Sequence, residues 1–333
     1  LNHPGFHAFL AAAARCRALV VRDAPLANYT RFAIGGKAGA LVETSHEEEF
    51  LALLDAARRS TVPFLVLGAG TNLIVADEGY PGVVLRFRGA EIRLQHGTLR
   101  VQAGAELQAL VDTAISCGMA GIHTMTRIPG WVGAAIYGNA GAYGHSMHEF
   151  VRTVRYCDAQ GVHSLDNAAC AFSYRESVFK LHKDWVILEA TLAFPPGEPT
   201  KLRNEANQIQ QLRDAKYPPA MRCAGSIFKN LLVAQLPPEA VAAAPASVVR
   251  EGKIPAAWFL EQVGAKGFRR GDIQVAAYHA NLIYNDGAGT AADLLTVIGE
   301  LKRRVSERFG FTLEEEVQYV GFDHSTAGLQ SEG

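Results

Sequence analysis

Apolar residues along this chain recur in two alternating rhythms. Phe50, Leu53, Leu54 and Ala57 return every three or four positions, which predicts an amphipathic helix, and Ser45 with Glu48 has capping-box spacing at its start. The apolar run 62–67 then predicts a strand that ends in Gly68. Runs 83–87 and 99–103 predict further strands, the first after a turn at Pro81-Gly82. Leu107, Leu110, Val111 and Ala114 mark a helix that ends near Gly118. A helix, then a strand closed by a glycine loop, is α/β grammar. Segments 151–157 and 162–165 flank Asp158-Ala-Gln-Gly161 as a hairpin, and 186–194 predicts a strand closing this region.

Pro195-Pro-Gly-Glu-Pro199 is the best candidate boundary. Beyond it the pattern predicts a polar helix over 201–214, helix and surface loop over 237–247, and a helix over 254–263 with Trp258 and Leu260 inward. Strand and turn follow over 274–284. Thr290 is placed to cap a long helix with Leu294, Ile298, Leu301 and Val305 on one face. Near the start, 9–17 reads as a short alanine-rich helix or a mobile extension, and 28–36 as a strand entering a turn. Residues beyond Asp323 read as a disordered tail. No internal repeat is found.

Composition narrows the class. A chain of 333 residues is too long for one ordinary core, so two or three lobes are expected. Hydrophobic residues at 49% and charged residues at 20% are a globular, soluble balance. A net charge of −1 offers no basic face for nucleic acid. No apolar run reaches the roughly 20 residues of a membrane span, and no signal-peptide pattern is expected at the start. The five cysteines form no Cys-x-x-Cys pair, which fits reduced thiols in a cytoplasm. His145 and His148 lie in a predicted surface loop, and no metal site is expected.

Candidate chemistry concentrates in small-residue stretches. Half of residues 127–144 are glycine or alanine, with Gly130, Gly133, Gly138, Gly141 and Gly144 free to take backbone angles that other residues avoid. Such a strip either lets elements pack tightly or lets main-chain N–H groups cradle phosphate. A second strip, Leu67-Gly-Ala-Gly-Thr-Asn-Leu73, favours one long phosphate-bearing ligand held at two places. Ser226 follows Gly225 and is either a turn serine or a proton donor; without a Gly-x-Ser-x-Gly elbow or a nearby histidine, a hydrolase reading is weak. Arg175 can fix an anion or pair with Glu176, and Lys216 can bind phosphate or end a helix. With Leu313, Val317 and Tyr319 facing a core, period two puts Glu315 with them and Glu314 and Glu316 opposite, so spacing alone does not choose the working acid.

In combination and order these motifs resemble the UDP-N-acetylenolpyruvoylglucosamine reductase family from about Tyr29 to Val320. The carriers are Asn28-Tyr-Thr-Arg-Phe-Ala-Ile-Gly-Gly36, the 66–73 and 128–144 loops, Tyr174-Arg-Glu-Ser177, Ala224-Gly-Ser-Ile-Phe-Lys-Asn230 and Leu313-Glu-Glu-Glu-Val317. The resemblance implies an α+β chain with a vanillyl-alcohol-oxidase/PCMH-type FAD-binding fold in two α/β lobes, 26–90 and 91–199. An extension at 1–25, a substrate domain at 200–313 and a terminal strand and tail at 314–333 complete it.

Two half-reactions are implied: NADPH reduces non-covalent FAD, and the flavin passes hydride to the vinyl ether of UDP-N-acetylglucosamine enolpyruvate. Ser226 matches the proton donor, and Arg175 and Glu316 match the residues that polarise the enolpyruvyl carboxylate. Flavin contacts are implied at Gly68, Ala69, Gly70, Thr71, Asn72 and Leu73. The second loop adds Ile128, Pro129, Gly130, Val132, Gly133, Asn139, Gly141, Ala142, Tyr143 and Gly144. Tyr174, Lys216, Asn230 and Asn281 match substrate contacts. Trp131, Ala134 and Tyr137 depart from the commonest form of the second loop. No tyrosine lies between Phe194 and Lys216, so the chain resembles the shorter form that lacks a tyrosine lid. A cytoplasmic monomer acting on small molecules is expected. Another FAD oxidoreductase on the same scaffold is the rival reading, less favoured because Ser226, Arg175 and Glu316 occur together.

Overall fold

The computed structural model describes residues 4–322, which divide into two compact units. Unit 1 comprises residues 4–24, 38–69 and 81–216, and unit 2 comprises 25–37, 70–80 and 217–322. The candidate boundary at Pro195-Pro-Gly-Glu-Pro199 therefore falls inside unit 1, and so does the helix that follows it, Pro199–Lys216.

Unit 1 is built on two sheets. The first orders Leu19–Pro25, Lys37–Thr44, Tyr80–Phe87 and Phe64–Val66, with Phe64 to Val66 parallel to Val83 to Leu85. Parallel pairing needs a crossover, here residues 67–79, and helix Glu47–Ser60 precedes the pair. That helix buries Phe50, Leu53, Leu54 and Ala57 completely, as their spacing predicts. Its start differs from expectation: His46 is the N-cap and makes no side-chain cap bond, so no capping box forms at Ser45. Pro81 and Gly82 do not turn the chain either but belong to the strand Tyr80–Phe87.

The second sheet orders Val162–Asp166, Val151–Cys157, Val186–Leu192, Thr98–Gln102 and Ile92–Gln95, all antiparallel. The predicted hairpin is its first pair. Its turn is closed by Asp158, whose Oδ1 accepts from the amides of Gln160 at 2.8 Å and Gly161 at 3.1 Å. Helix Leu107–Ser116 ends before Gly118, which sits at φ 65°. The N-terminal stretch forms helix Pro4–Ala13, buried through Phe6, Phe9 and Leu10.

Unit 2 centres on helix Ala291–Phe309, which buries Leu294, Ile298, Leu301 and Val305. Thr290 caps it by accepting from the Asp293 amide at 3.1 Å. Asp77 adds a second anchor, its carboxylate accepting from the amides of Ala291 at 2.8 Å and Ala292 at 3.0 Å. Acceptors there satisfy helix-start N–H groups that lack intrahelical partners. A three-stranded sheet, Arg269–Arg270, Ile273–Val275 and Ile283–Asn285, packs in the same core. In helix Ala256–Gln262, Leu260 is fully buried and Trp258 only partly so. The expected strand at 28–36 is absent; Leu26–Tyr29 is a 3-10 turn, and Ala33 sits at φ 54°, outside the range of a strand. Strand Leu73–Val75 pairs in parallel with Gln318–Val320. The predicted disordered tail lies outside the described residues.

Candidate active site

In unit 1 the small-residue stretch becomes a short helix, Val132–Tyr137, followed by a hairpin of Gly141–Ala142 with His145–Ser146. Tyr143 and Gly144 form the two-residue turn, both with positive φ, 52° and 84°. The helix buries Val132, Ala135 and Ile136 and leaves Ala134 exposed, with Gly133 and Gly138 half-exposed. Gly68 lies against it, for a Cβ built there would be 3.6 Å from the Ala134 Cβ and 3.8 Å from the Trp131 ring. The start of the first loop and the second loop thus meet at Gly68, where Gly133, Ala134 and Gly138 carry little or no side chain. A pyrophosphate could approach such a surface closely, so these residues fit the dinucleotide expected from the sequence.

Several of the expected contact residues also bond within the fold. The Val132 amide donates to the Ala105 carbonyl at 2.8 Å, and that of Gly133 to Ala103 at 2.9 Å. These two N–H groups fasten the helix to its neighbours. Asn139 is buried, with Nδ2 donating to the Ser173 carbonyl at 2.7 Å and Oδ1 accepting from the His148 amide at 3.0 Å. Its side chain therefore braces two loops. Ile128 and Pro129 border the strip, half-buried and exposed. Trp131 is buried under two guanidinium groups, with Arg86 Cζ 4.8 Å and Arg88 Cζ 5.6 Å from its ring centre. Arg86 also donates to the Gly68 carbonyl at 3.3 Å and pairs with Glu43 at 2.9 Å. Sequence reasoning missed this stack, because Glu43, Arg86 and Trp131 meet only through the tertiary fold.

Arg175 stands on a turn bolted to the same stretch. Ser173 and Glu176 exchange both main-chain hydrogen bonds, and Arg175 takes the left-handed region at φ 60°. That conformation is uncommon for a non-glycine residue and is held by the surroundings. Side-chain bonds hold it, among them Asn139 to the Ser173 carbonyl, Ser177 Oγ to the Tyr137 carbonyl at 2.7 Å, and Arg175 to the Gly141 carbonyl at 3.1 Å. Lys180 donates to the Arg175 carbonyl at 2.5 Å and pairs with Glu176 at 3.4 Å. The Arg175 guanidinium carbon lies 5.2 Å from the centre of the Tyr174 ring. Burial, aided by Glu176, pushes the Tyr137 phenol above its ordinary range. Lys216 is the last residue of its helix and half-buried.

In unit 2, Ser226 and Glu316 lie on neighbouring extended segments. Residues 226–229 run between 281–282 and 314–316, with bridges Ser226 to Leu282 and Phe228 to Glu315. The Glu316 amide donates to the Ile227 carbonyl at 2.7 Å, and that of Lys229 to Glu314 at 2.9 Å. Asn281 is buried and spends its amide on Phe228, accepting from its N–H and donating to its carbonyl, both at 2.9 Å. Asn281, expected as a substrate contact, supports the Ser226 strand through these two bonds. Asn230 is exposed at the end of this segment, its Oδ1 accepting from the Ala256 amide at 3.4 Å.

The three acids separate as period two requires. The Glu315 side chain is 5% exposed, pairs with Lys302 at 2.9 Å and accepts from the Tyr319 hydroxyl at 3.3 Å. Burial and Glu315 together push the Tyr319 phenol well above its usual range. Glu314 is largely exposed and pairs with Lys229. Glu316 is half-buried, and its carbonyl accepts from Asn72 Nδ2 at 3.0 Å while the Asn72 carbonyl accepts from the Gln318 amide at 3.0 Å. Asn72, read from sequence as a flavin contact, thus fixes the backbone of the acid. Gly70 is at φ 66°, and a Cβ there would lie 1.8 Å from the Tyr29 carbonyl oxygen. Thr71 and Leu73 are half-buried beside it, and Leu73 begins the strand paired with Gln318. Among the described residues, no group of three or more His, Cys, Asp or Glu side chains is placed to hold a metal ion, and no helix is long and apolar enough to cross a membrane.

Comparison with known proteins adds an independent line. Residues 217–320 match the family model of the UDP-N-acetylenolpyruvoylglucosamine reductase C-terminal domain, and 38–165 match an FAD binding domain. A UDP-N-acetylenolpyruvoylglucosamine reductase of Solibacter usitatus is 55% identical over 91% of this chain and 97% of its own length. One from Rubrobacter xylanophilus is 37% identical over 90% of this chain and 94% of its own. The crystal structure of the Thermus caldophilus reductase superposes with a TM-score of 0.70 at 28% identity, covering 91% of this chain and 99% of that one. The architecture is the α+β, vanillyl-alcohol-oxidase/PCMH-type FAD-binding fold expected from the motifs.

Proposed function

The chain belongs to the UDP-N-acetylenolpyruvoylglucosamine reductase family, and we propose that Ser226, Arg175 and Glu316 carry that family's chemistry in it. It is an FAD-dependent oxidoreductase that reduces UDP-N-acetylglucosamine enolpyruvate to UDP-N-acetylmuramate, with NADPH as reductant, for peptidoglycan precursor synthesis. FAD, when bound, relays hydride from NADPH to the enol ether. Gly68, Ala69 and the exposed edge of residues 128–144 would hold it without a covalent bond.

Hydride addition at one alkene carbon builds negative charge on the other and on the attached carboxylate. Arg175 and the Glu316 carboxyl group polarise that carboxylate and lower the cost of the charge. Ser226 then gives its hydroxyl proton to the carbanion-like carbon. Tyr174, Lys216 and Asn230 bind the nucleotide sugar, and the protein works as a cytoplasmic monomer on small molecules.

One observation supports these roles most strongly. Glu316 and the Ser226 segment share a hydrogen bond, and two buried or half-buried asparagines, Asn281 and Asn72, fix the main chain on either side of it. A proton donor needs that rigidity, since small misplacements are costly in rate. The test is anaerobic stopped-flow absorbance with Ser226→Ala. NADPH should bleach the bound flavin at the wild-type rate, while return of colour on adding the sugar substrate slows by roughly 10²-fold or more. Equal loss of both phases would remove Ser226 from the proton-transfer role.

A further inference from the structure

Tyr217 stands beside the candidate proton donor. Its hydroxyl lies 3.4 Å from Ser226 Oγ, and both residues are half-buried. Resting on the assignment of Ser226 as donor, we propose that Tyr217 is a positioning residue that holds the Ser226 hydroxyl and replaces its proton.

A serine hydroxyl is a weak acid, so surrendering its proton leaves an alkoxide that a half-buried site solvates poorly. A phenol, with a pKa of about 10, is a far stronger acid and an apt donor to that oxygen. In the step, the Ser226 O–H bond breaks as the new C–H bond forms at the substrate carbon. The Tyr217 proton passes to the serine oxygen, and water reprotonates the phenolate. The 3.4 Å separation is at the long end for a hydrogen bond, and catalytic hydrogen bonds tighten as charge develops.

Both partners are held for this contact. Pro218 and Pro219 follow Tyr217 and restrict its backbone, and the Pro218 carbonyl accepts from the Met221 amide at 2.9 Å. On the serine side, Gly225 at φ 81° has no atom within 4 Å of a built Cβ. Its requirement for glycine is therefore the backbone angle that presents Ser226, not packing. Behind the tyrosine, the His279 ring centre is 6.5 Å from that of Tyr217, and its Nδ1 accepts from the Asn281 amide at 3.2 Å. Asn281 also braces the Ser226 strand through Phe228.

The test uses the FAD-loaded enzyme and its Tyr217→Phe variant, with each phase followed separately in mixtures of H2O and D2O. For Tyr217→Phe, bleaching by NADPH should keep its wild-type rate, while substrate-dependent recovery should slow by about tenfold, the loss of one hydrogen bond in the transition state. The wild-type recovery rate should curve with deuterium fraction, as two moving protons require, and the variant's should be linear. An unchanged curve in the variant, or equal slowing of both phases, would overturn the relay. Ser226→Ala run alongside separates the two readings. If it loses recovery and Tyr217→Phe does not, only the tyrosine role fails; if it retains recovery, the serine assignment fails first.

Discussion

The Lys302 ammonium sits 2.9 Å from Glu315 Oε2, with the two side chains only 9% and 5% exposed. This pair lies one residue from Glu316, on the opposite side of the same segment. Taking one member away leaves a charge buried without its partner. Lys302→Met is therefore expected to cost about 3–5 kcal/mol in a urea titration. Glu314→Ala, which breaks a pair whose acid is 60% exposed, should cost under about 1 kcal/mol. Comparable losses for the two variants would contradict the burial argument.

Glycine substitutions should divide in sign. Gly70→Ala meets both a left-handed angle and the Tyr29 carbonyl 1.8 Å from the new Cβ, so it must distort the loop. We expect a loss of at least ~2 kcal/mol in stability, because strain and clash add. Gly299, in the interior of helix Ala291–Phe309, has no atom within 4 Å of a built Cβ. Gly299→Ala should raise stability by about 0.5–1 kcal/mol. Thermal melts of the two variants read this directly, and a stabilised Gly70→Ala protein would contradict the loop geometry.

Asn139 joins the second loop to the turn that carries Arg175. Asn139→Ala removes the bonds to the Ser173 carbonyl and the His148 amide, each worth about 1 kcal/mol. It also places alanine at φ 40°, a region that asparagine tolerates better. The expected result is a melting temperature lower by several degrees and a fall in kcat of roughly tenfold as Arg175 loses its support. Wild-type kcat in a measurably destabilised variant would show that Arg175 needs no brace from Asn139.

How much of this was readable in the chain depended on distance along it. The Thr290 cap and the division of Glu314, Glu315 and Glu316 follow from contacts within a few residues, and periodicity exposes both. The family motifs likewise marked Ser226 and Glu316, but not that Asn281 and Asn72 would be spent on holding them. A side chain's partners across 53 or 244 positions leave no local signature. Ser45 failed as a cap for a related reason: the spacing permits a capping box, while the turn geometry put His46 in that position instead. Tyr217 carried only the hint of two following prolines, and its distance from Ser226 emerges from the fold.

Acid should expose the buried state of His123. Its side chain is 11% exposed, Nδ1 accepts from the Gly121 amide at 3.1 Å, and Nε2 lies 2.9 Å from Glu205. Accepting through Nδ1 requires that nitrogen to be unprotonated. Burial lowers the imidazole below its ordinary range, with His145 adding to the effect, and the opposing pull of Glu205 does not restore it. As pH falls through about 6.5, the unfolded chain binds the proton before the folded one. Stability from this group is therefore full above that pH, declines as pH falls toward the depressed folded value, and is constant below it. His123→Gln supplies an acceptor for Gly121 and a donor for Glu205 but does not titrate. The wild type should lose stability relative to this variant as pH is lowered from about 7 to 5. Urea titrations across that range check it, and parallel curves for the two proteins would show that His123 is not the group responsible.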